Sequence, residues 1–251
     1  MKLSLKIFTL LSIVVALIFS SILLLSPGSK VNAKIDSKRF QVLSKTVDPA
    51  KQNIKLFWKN DKNKNYGNFQ SLKTKIENEG QQLIFATNGG IYDKNHRPKG
   101  LYIENGIVLS KIDRKEEGYG NFYLNPNGIF YITHSEKAFI KTTKNIKDYN
   151  NVKYATQSGP MLVIDGNIHP KFAKGSKHTN IRNGVGILPN GNIIFAMSKE
   201  KVNLFDFASY FKEQGCDNAL YLDGFVSKTF LPSKNWTQMD GNFGVIIGIT
   251  Q

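Results

Sequence analysis

The stretch Val185-Gly-Ile-Leu-Pro-Asn-Gly-Asn-Ile-Ile-Phe-Ala-Met197 decides the fold. Two apolar runs, Val185 to Leu188 and Ile193 to Met197, flank Pro189-Asn190-Gly191, and an Asn-Gly step supplies the positive φ angles of a tight hairpin. The same punctuation recurs three times. Leu101 to Ile103 turns at Asn105-Gly106 into Ile107 to Leu109, and Phe122 to Leu124 turns at Pro126-Asn127-Gly128 into Ile129 to Ile132. Met161 to Ile164 turns at Asp165-Gly166 into Ile168. Four such units argue for an antiparallel sheet rather than βαβ repeats.

Outward from these hairpins, Phe40 to Asp48 and Asn53 to Trp58 read as strands, and so do Leu83 to Thr87, Ala219 to Leu222 and Phe243 to Ile249. Phe69, Leu72 and Ile76 fall at helical spacing before a Gly80 stop. Asn203 to Gln214 is a second helix, with Asn203 as N-cap, Asp206 in the first turn, a stripe of Leu204, Phe207, Ala208 and Phe211, and Gly215 at its end. Asn145 to Asn151 suggests a helical turn with Ile146 and Tyr149 inward. Two helices among about a dozen strands predict an α+β fold, a single domain with an extended, mostly antiparallel core.

The chain has 251 residues, 41% of them apolar, enough for one large domain. Residues 1–33 stand apart. Lys2 and Lys6 precede an apolar run from Ile7 to Leu25, Ser26-Pro27-Gly28 breaks it, and Val31-Asn32-Ala33 offers a small-residue cleavage site. The run is 19 residues long, which also suits a retained membrane anchor, and lysines flank both sides. Either reading puts the remainder, 34–251, outside the cytoplasm, secreted or anchored to the outer face of the cytoplasmic membrane. The whole chain carries +15. Three lysines and no acid lie in residues 1–33, so the rest holds 31 basic and 19 acidic residues, or +12. Of the basic residues 30 are Lys and four are Arg, dispersed among many Asn, a compositional bias that argues weakly for an anionic partner and not for base reading. The single Cys216 forms no internal disulfide and reads as a buried thiol, and no metal-ligand spacing is present.

Four strand-end loops collect the chemistry. Asp223-Gly224 follows the apolar Ala219 to Leu222, where a carboxylate must be paired, hydrogen-bonded or functional, although Asp-Gly is also an ordinary turn. Asn88-Gly89-Gly90 with Asp93 gives a backbone that a ligand can approach, or again a plain turn. Gln157-Ser158-Gly159-Pro160 lacks the nucleophile-elbow pattern, so Ser158 is a hydrogen-bonding candidate rather than an activated nucleophile. Arg182 stands before a strand and suits bidentate phosphate binding, with a surface ion pair as the bland alternative. Of the four histidines, His178, four residues before Arg182, is the one candidate for the site.

In order, Asn88-Gly-Gly-Ile-Tyr-Asp93, Arg97-Pro-Lys-Gly100, Gln157-Ser-Gly-Pro160, Arg182-Asn-Gly-Val-Gly186 and Leu220-Tyr-Leu-Asp-Gly224 to Ser227 resemble the phosphodiester glycosidase family over roughly residues 40–250. Many members carry Asp-Gly-Gly-Gly-Ser where this chain has Asp223-Gly-Phe-Val-Ser227, so Phe225 and Val226 narrow the space beside Asp223. The resemblance implies hydrolysis of a sugar linked through phosphate. It implies Asp223 as base or nucleophile, Arg182 as phosphate clamp, and Asn88, Ser158 and Ser227 as hydrogen-bonding groups around them. Asp93 is then a second carboxylate, and Gly89, Gly90, Gly159, His178 and Gly224 line the substrate. No cofactor is implied, and a divalent metal is left open. The expected partner is a phosphate-linked carbohydrate or anionic envelope polymer, not nucleic acid, with membrane contact only through residues 7–25 if uncleaved. The rival expectation is a non-catalytic module that binds such a polymer through the same loops.

Overall fold

The deciding hairpin forms as read: Val185 pairs with Phe195 and Ile187 with Ile193 across the Pro189-Asn190-Gly191 turn. The computed structural model describes residues 40–223 and 226–251. The export signal or anchor expected over residues 1–33, the candidate Gly224 and its neighbour Phe225 lie outside the described residues.

Among the described residues the strands, numbered in chain order, form three sheets. The first runs β1 (Val42–Val47), β12 (Ile193–Ser198), β11 (Asn183–Ile187), β13 (Asn218–Asp223), β9 (Met161–Ile164) and β10 (Asn167–Ile168). The second runs β15 (Trp236–Thr237), β14 (Thr229–Leu231), β3 (Leu83–Asn88), β16 (Ile246–Thr250) and β2 (Asn53–Phe57). The third runs β5 (Ile107–Ser110), β4 (Tyr102–Glu104), β8 (Val152–Ser158), β6 (Gly128–Thr133) and β7 (Ala138–Thr142). The pairings are antiparallel in each sheet, and with the two α-helices among the described residues they make the fold α+β.

Each sheet turns one face into a common core. Phe195 of the first sheet meets Phe85 of the second at 5.3 Å between ring centroids and Phe130 of the third at 6.0 Å, so one ring joins all three. The outer faces are covered separately. Helix α1 (Phe69–Asn78) is capped by Asn68, whose Oδ1 accepts from Ser71 N at 2.8 Å, and buries Phe69, Leu72 and Ile76 against the second sheet with Phe230 and Phe243. Helix α2 (Leu204–Glu213) is capped by Asn203, which accepts from Asp206 N at 2.9 Å, and lays Phe207, Ala208 and Phe211 on the first sheet. Ile112, Ile146 and Tyr149 cover the third. Among the described residues no helix is long and apolar enough to cross a membrane.

Two local expectations need correction. Phe122 to Leu124 is no strand: Asn121–Tyr123 is a 3-10 turn whose backbone donors go to nearby carbonyls, Tyr123 N to Gly120 O and Leu124 N to Asn121 O, each at 3.1 Å. The partners of β6 are β7 and β8 instead. The helical turn expected over Asn145 to Asn151 is also displaced, to Thr143–Asn145, although Ile146 is buried and Tyr149 packs inward as expected.

Helix α2 and the first sheet approach closely at Gly186, where an added Cβ would lie 2.6 Å from Cys216 Sγ and 2.7 Å from Phe211 Cδ1. Burial pushes the Cys216 thiol up to about 12, with the neighbouring Asp217 charge adding to the effect. Gly186→Ala is expected to destabilise the chain by roughly 1–3 kcal/mol through overpacking, measured by chemical denaturation. Cys216 is expected to resist a thiol-specific disulfide reagent at pH 8 and to react at once in denaturant.

Candidate active site

Three strand ends meet at one amide. Asn183 opens β11 with its side chain 1% exposed, and its Nδ2 donates to Asn88 O at 2.9 Å and Thr87 Oγ1 at 3.1 Å, both at the end of β3. Its Oδ1 accepts from Asp223 N at 3.0 Å, at the end of β13, and from Asn88 Nδ2 at 3.3 Å. A carbonyl on one side and a backbone N–H on the other fix which way the amide points. Ser227 is 9% exposed, and its hydroxyl lies within reach of Asn183 Oδ1 at 3.2 Å and of Asp223 O. Asn88 Oδ1 accepts from Lys228 N at 3.0 Å, and Thr87 Oγ1 donates to Lys228 O at 3.1 Å. Ser158, fully buried, donates from Oγ to Leu222 O at 2.9 Å. Asn88, Ser158, Asp223 and Ser227 therefore converge from both the first and second sheets and the end of β8. The buried amides hold the backbone on either side of 223–228.

Arg182 and Asn183 are consecutive, so their side chains take opposite faces of the sheet. Arg182 is 3% exposed. Its Nε donates to Val202 O at 2.7 Å, Nη1 to Tyr221 Oη at 2.9 Å and Nη2 to His178 O at 2.9 Å. A guanidinium has five N–H groups, so at most one more on each Nη can turn to a ligand. Arg182 and the exposed His178 line a cavity of about 510 Å³ together with Lys171, Phe172 and Asn180.

Tyr221 connects the two groupings. Its ring lies 5.4 Å from the Arg182 guanidinium carbon, and Asp223 follows two residues on in β13, past a β-bulge that pairs Tyr221 with Gly184 and Asp223 with Asn183. Burial raises the Tyr221 phenol far above its ordinary value, the Arg182 charge opposes this, and the Asp223 charge adds to it. Tyr92 is likewise raised, by burial first and then by Asp223. The half-buried Asp223 thus sits within electrostatic reach of two phenols, one of which accepts the hydrogen bond of the buried arginine.

Asp93 is held elsewhere. Its carboxylate accepts from Asn95 N at 2.8 Å and Arg97 N at 3.0 Å and pairs with Arg97 Nε at 3.0 Å. Partial desolvation pushes its pKa up, and these hydrogen bonds more than offset that, leaving it below the ordinary value. It closes the 93–97 turn. The glycines are required by packing: a Cβ on Gly89 would lie 2.8 Å from Val245 Cγ1, one on Gly90 2.6 Å from Thr156 Oγ1, and one on Gly159 2.7 Å from Asn127 Cβ. Among the described residues no group of three or more His, Cys, Asp or Glu side chains is placed to hold a metal ion. Asn183, Tyr221, Thr87 and Tyr92 were not among the expected site residues. Asn183 alone had a usable signal, a polar residue heading the apolar run Val185 to Leu188.

Residues 81–246 match the phosphodiester glycosidase family. YigE, an uncharacterized protein of Escherichia coli (strain K12), is 37% identical over 187 residues, covering 74% of this chain and 72% of that protein. Among solved structures, the chain is similar to the catalytic domain of zebrafish N-acetylglucosamine-1-phosphodiester alpha-N-acetylglucosaminidase auto-inhibited by its pro-peptide. That match has a TM-score of 0.56 and 14% identity over 86% of this chain and 84% of the other. A hypothetical protein from Synechocystis matches with a TM-score of 0.54 and 16% identity, over 84% of this chain and 59% of the other. At these identities the structural likeness speaks for the fold alone.

Asn183→Ala leaves Asp223 N and Asn88 O without this partner. A loss of about 3 kcal/mol is expected by chemical denaturation, since each unpaired buried group costs roughly 1–3 kcal/mol.

Proposed function

The chain belongs to the phosphodiester glycosidase family, and from that premise we propose that it is an exported hydrolase of sugar-phosphodiester linkages in a cell-envelope or extracellular glycan. The reaction is addition of water across the bond between the anomeric carbon and the phosphate oxygen, giving free sugar and a phosphate monoester. The observation that carries this reading is that Arg182, which lines a cavity with Lys171, hydrogen-bonds Tyr221 of β13, the strand that ends two residues later at Asp223.

The chemistry asks little of an acid. A phosphate monoester is a weakly basic leaving group, whereas an ordinary glycosidase must protonate a much more basic sugar oxygen and uses a second carboxyl for it. One carboxylate then suffices, and Asp223 supplies it as base to water or nucleophile on the anomeric carbon. Asp93 is bound into its own turn, which fits its absence from this role. Arg182 acts as a fixed positive charge rather than a mobile fork, because three protein acceptors already hold it. Lys171 is exposed and brings the adjustable charge. Asn88, Asn183, Ser158 and Ser227 keep the backbone around Asp223 in place, so that the carboxylate need not reorganise during the reaction.

Asp223→Asn is expected to lower turnover of a synthetic sugar-1-phosphodiester by at least about 10²-fold while leaving the folding midpoint close to that of the wild type. Free sugar and phosphate monoester would be followed by mass spectrometry. Full activity in the variant removes Asp223 from the mechanism. Salt-sensitive binding of teichoic-acid-type polymer by the wild type with no product released would make the protein a binding module instead.

A further inference from the structure

A second cavity, about 680 Å³, adjoins the one that Arg182 lines, and Lys171 belongs to both. Arg114, Lys115 and Lys144 bring three more cations to it. Arg114 is set in place by two backbone carbonyls, Nη1 donating to Thr143 O at 2.8 Å and Nη2 to Ile146 O at 2.6 Å. Part of its wall is buried Asn127, which packs against Gly159 and donates from Nδ2 to Phe122 O at 3.0 Å. Glu116 and Glu117 share the rim.

We infer that this cavity is a separate subsite for the next repeat of a polymer in which phosphodiesters alternate with hydroxyl-bearing sugar or polyol units. The inference rests on the proposed reading of the Arg182 cavity as the place where a phosphodiester is cut. Four cations suit a phosphate. Two carboxylates on the same rim would repel a plain polyanion and accept hydrogen bonds from sugar or polyol hydroxyls. Among the described residues none that lines it is aromatic, so they offer no stacking platform of the kind single-stranded nucleic acid uses. A shared Lys171 means that a chain can pass from one cavity to the other without leaving positive potential.

The test uses the full-length protein in detergent and the double variant Lys115→Gln/Lys144→Gln, both exposed positions. The first readout is binding of a fluorescently labelled poly(glycerol phosphate) chain across a salt series. The second is cleavage of a short sugar-1-phosphodiester that fills only the Arg182 cavity. Polymer binding is expected to weaken about tenfold in the variant, with a shallower salt dependence and short-substrate cleavage unchanged. In Glu116→Gln/Glu117→Gln, binding of inorganic polyphosphate is expected to tighten while that of the polyol polymer does not. Unchanged polymer binding in the lysine variant overturns the subsite, as does equal wild-type affinity for a DNA oligonucleotide of the same charge. If the wild type binds the polymer and the lysine variant does not, yet neither cleaves the short substrate, the subsite stands and the hydrolytic reading falls.

Discussion

The fold and the candidate site both depend on the side-chain amide of Asn183. It is buried where β3, β11 and β13 end, and it joins the second sheet to the first through Asn88 O, Thr87 Oγ1 and Asp223 N. A group of this kind in a dry interior is costly unless every donor and acceptor is matched, and matched it admits one arrangement of the strands around it. The Asp223 N–H is tied to the same amide at the last residue of β13, so strand register sets where its side chain begins. The packing glycines serve the same end. Gly184, whose added Cβ would meet Leu220 O at 2.9 Å, allows β11 and β13 to close up just where the amide must reach.

Charge is arranged in layers around this joint. Arg182 lies beneath Tyr221 with its guanidinium tied to three acceptors, so its positive charge cannot swing away. The Asp223 charge acts on the same phenol in the opposite sense, raising its pKa where Arg182 lowers it. Lysines then populate the open part of the cavities, where their strongly hydrated heads cost little to expose. The general excess of +12 over residues 34–251 thus acquires a local expression that composition alone does not reveal.

The sequence made the hairpins legible wherever an Asn-Gly or Asp-Gly turn joined two apolar runs, as at Gly106, Gly166 and Gly191, because turn chemistry is local. It misled at Phe122, whose apolar character belongs to a buried ring in a 3-10 turn. Strand β8 left no periodic signal: its Thr156, Gln157 and Ser158 are buried because Gln157 and Ser158 hydrogen-bond to other segments, Gln157 Nε2 to Asp113 O at 2.6 Å and Ser158 Oγ to Leu222 O at 2.9 Å. The same cause separates the legible from the illegible in the site. Asp223 and Arg182 stand out as charges at strand ends. What each touches depends on contacts between residues as far apart as 88 and 183, which no local pattern encodes. Asp93 shows the converse, since a carboxylate beside a glycine turn reads as reactive until its partners Asn95 and Arg97 are seen.

In the proposed reaction water opens the bond between sugar carbon and phosphate oxygen, at a site where a phosphate is held and a single carboxylate faces the sugar. Hydrolysis of a sugar-1-phosphodiester in water enriched in oxygen-18, with both products weighed by mass spectrometry, tests it most directly. The label is expected in the sugar's anomeric hydroxyl and none in the phosphate monoester. Label in the phosphate would mean attack at phosphorus, and would contradict both a carbon-directed Asp223 and an Arg182 that only holds the phosphate.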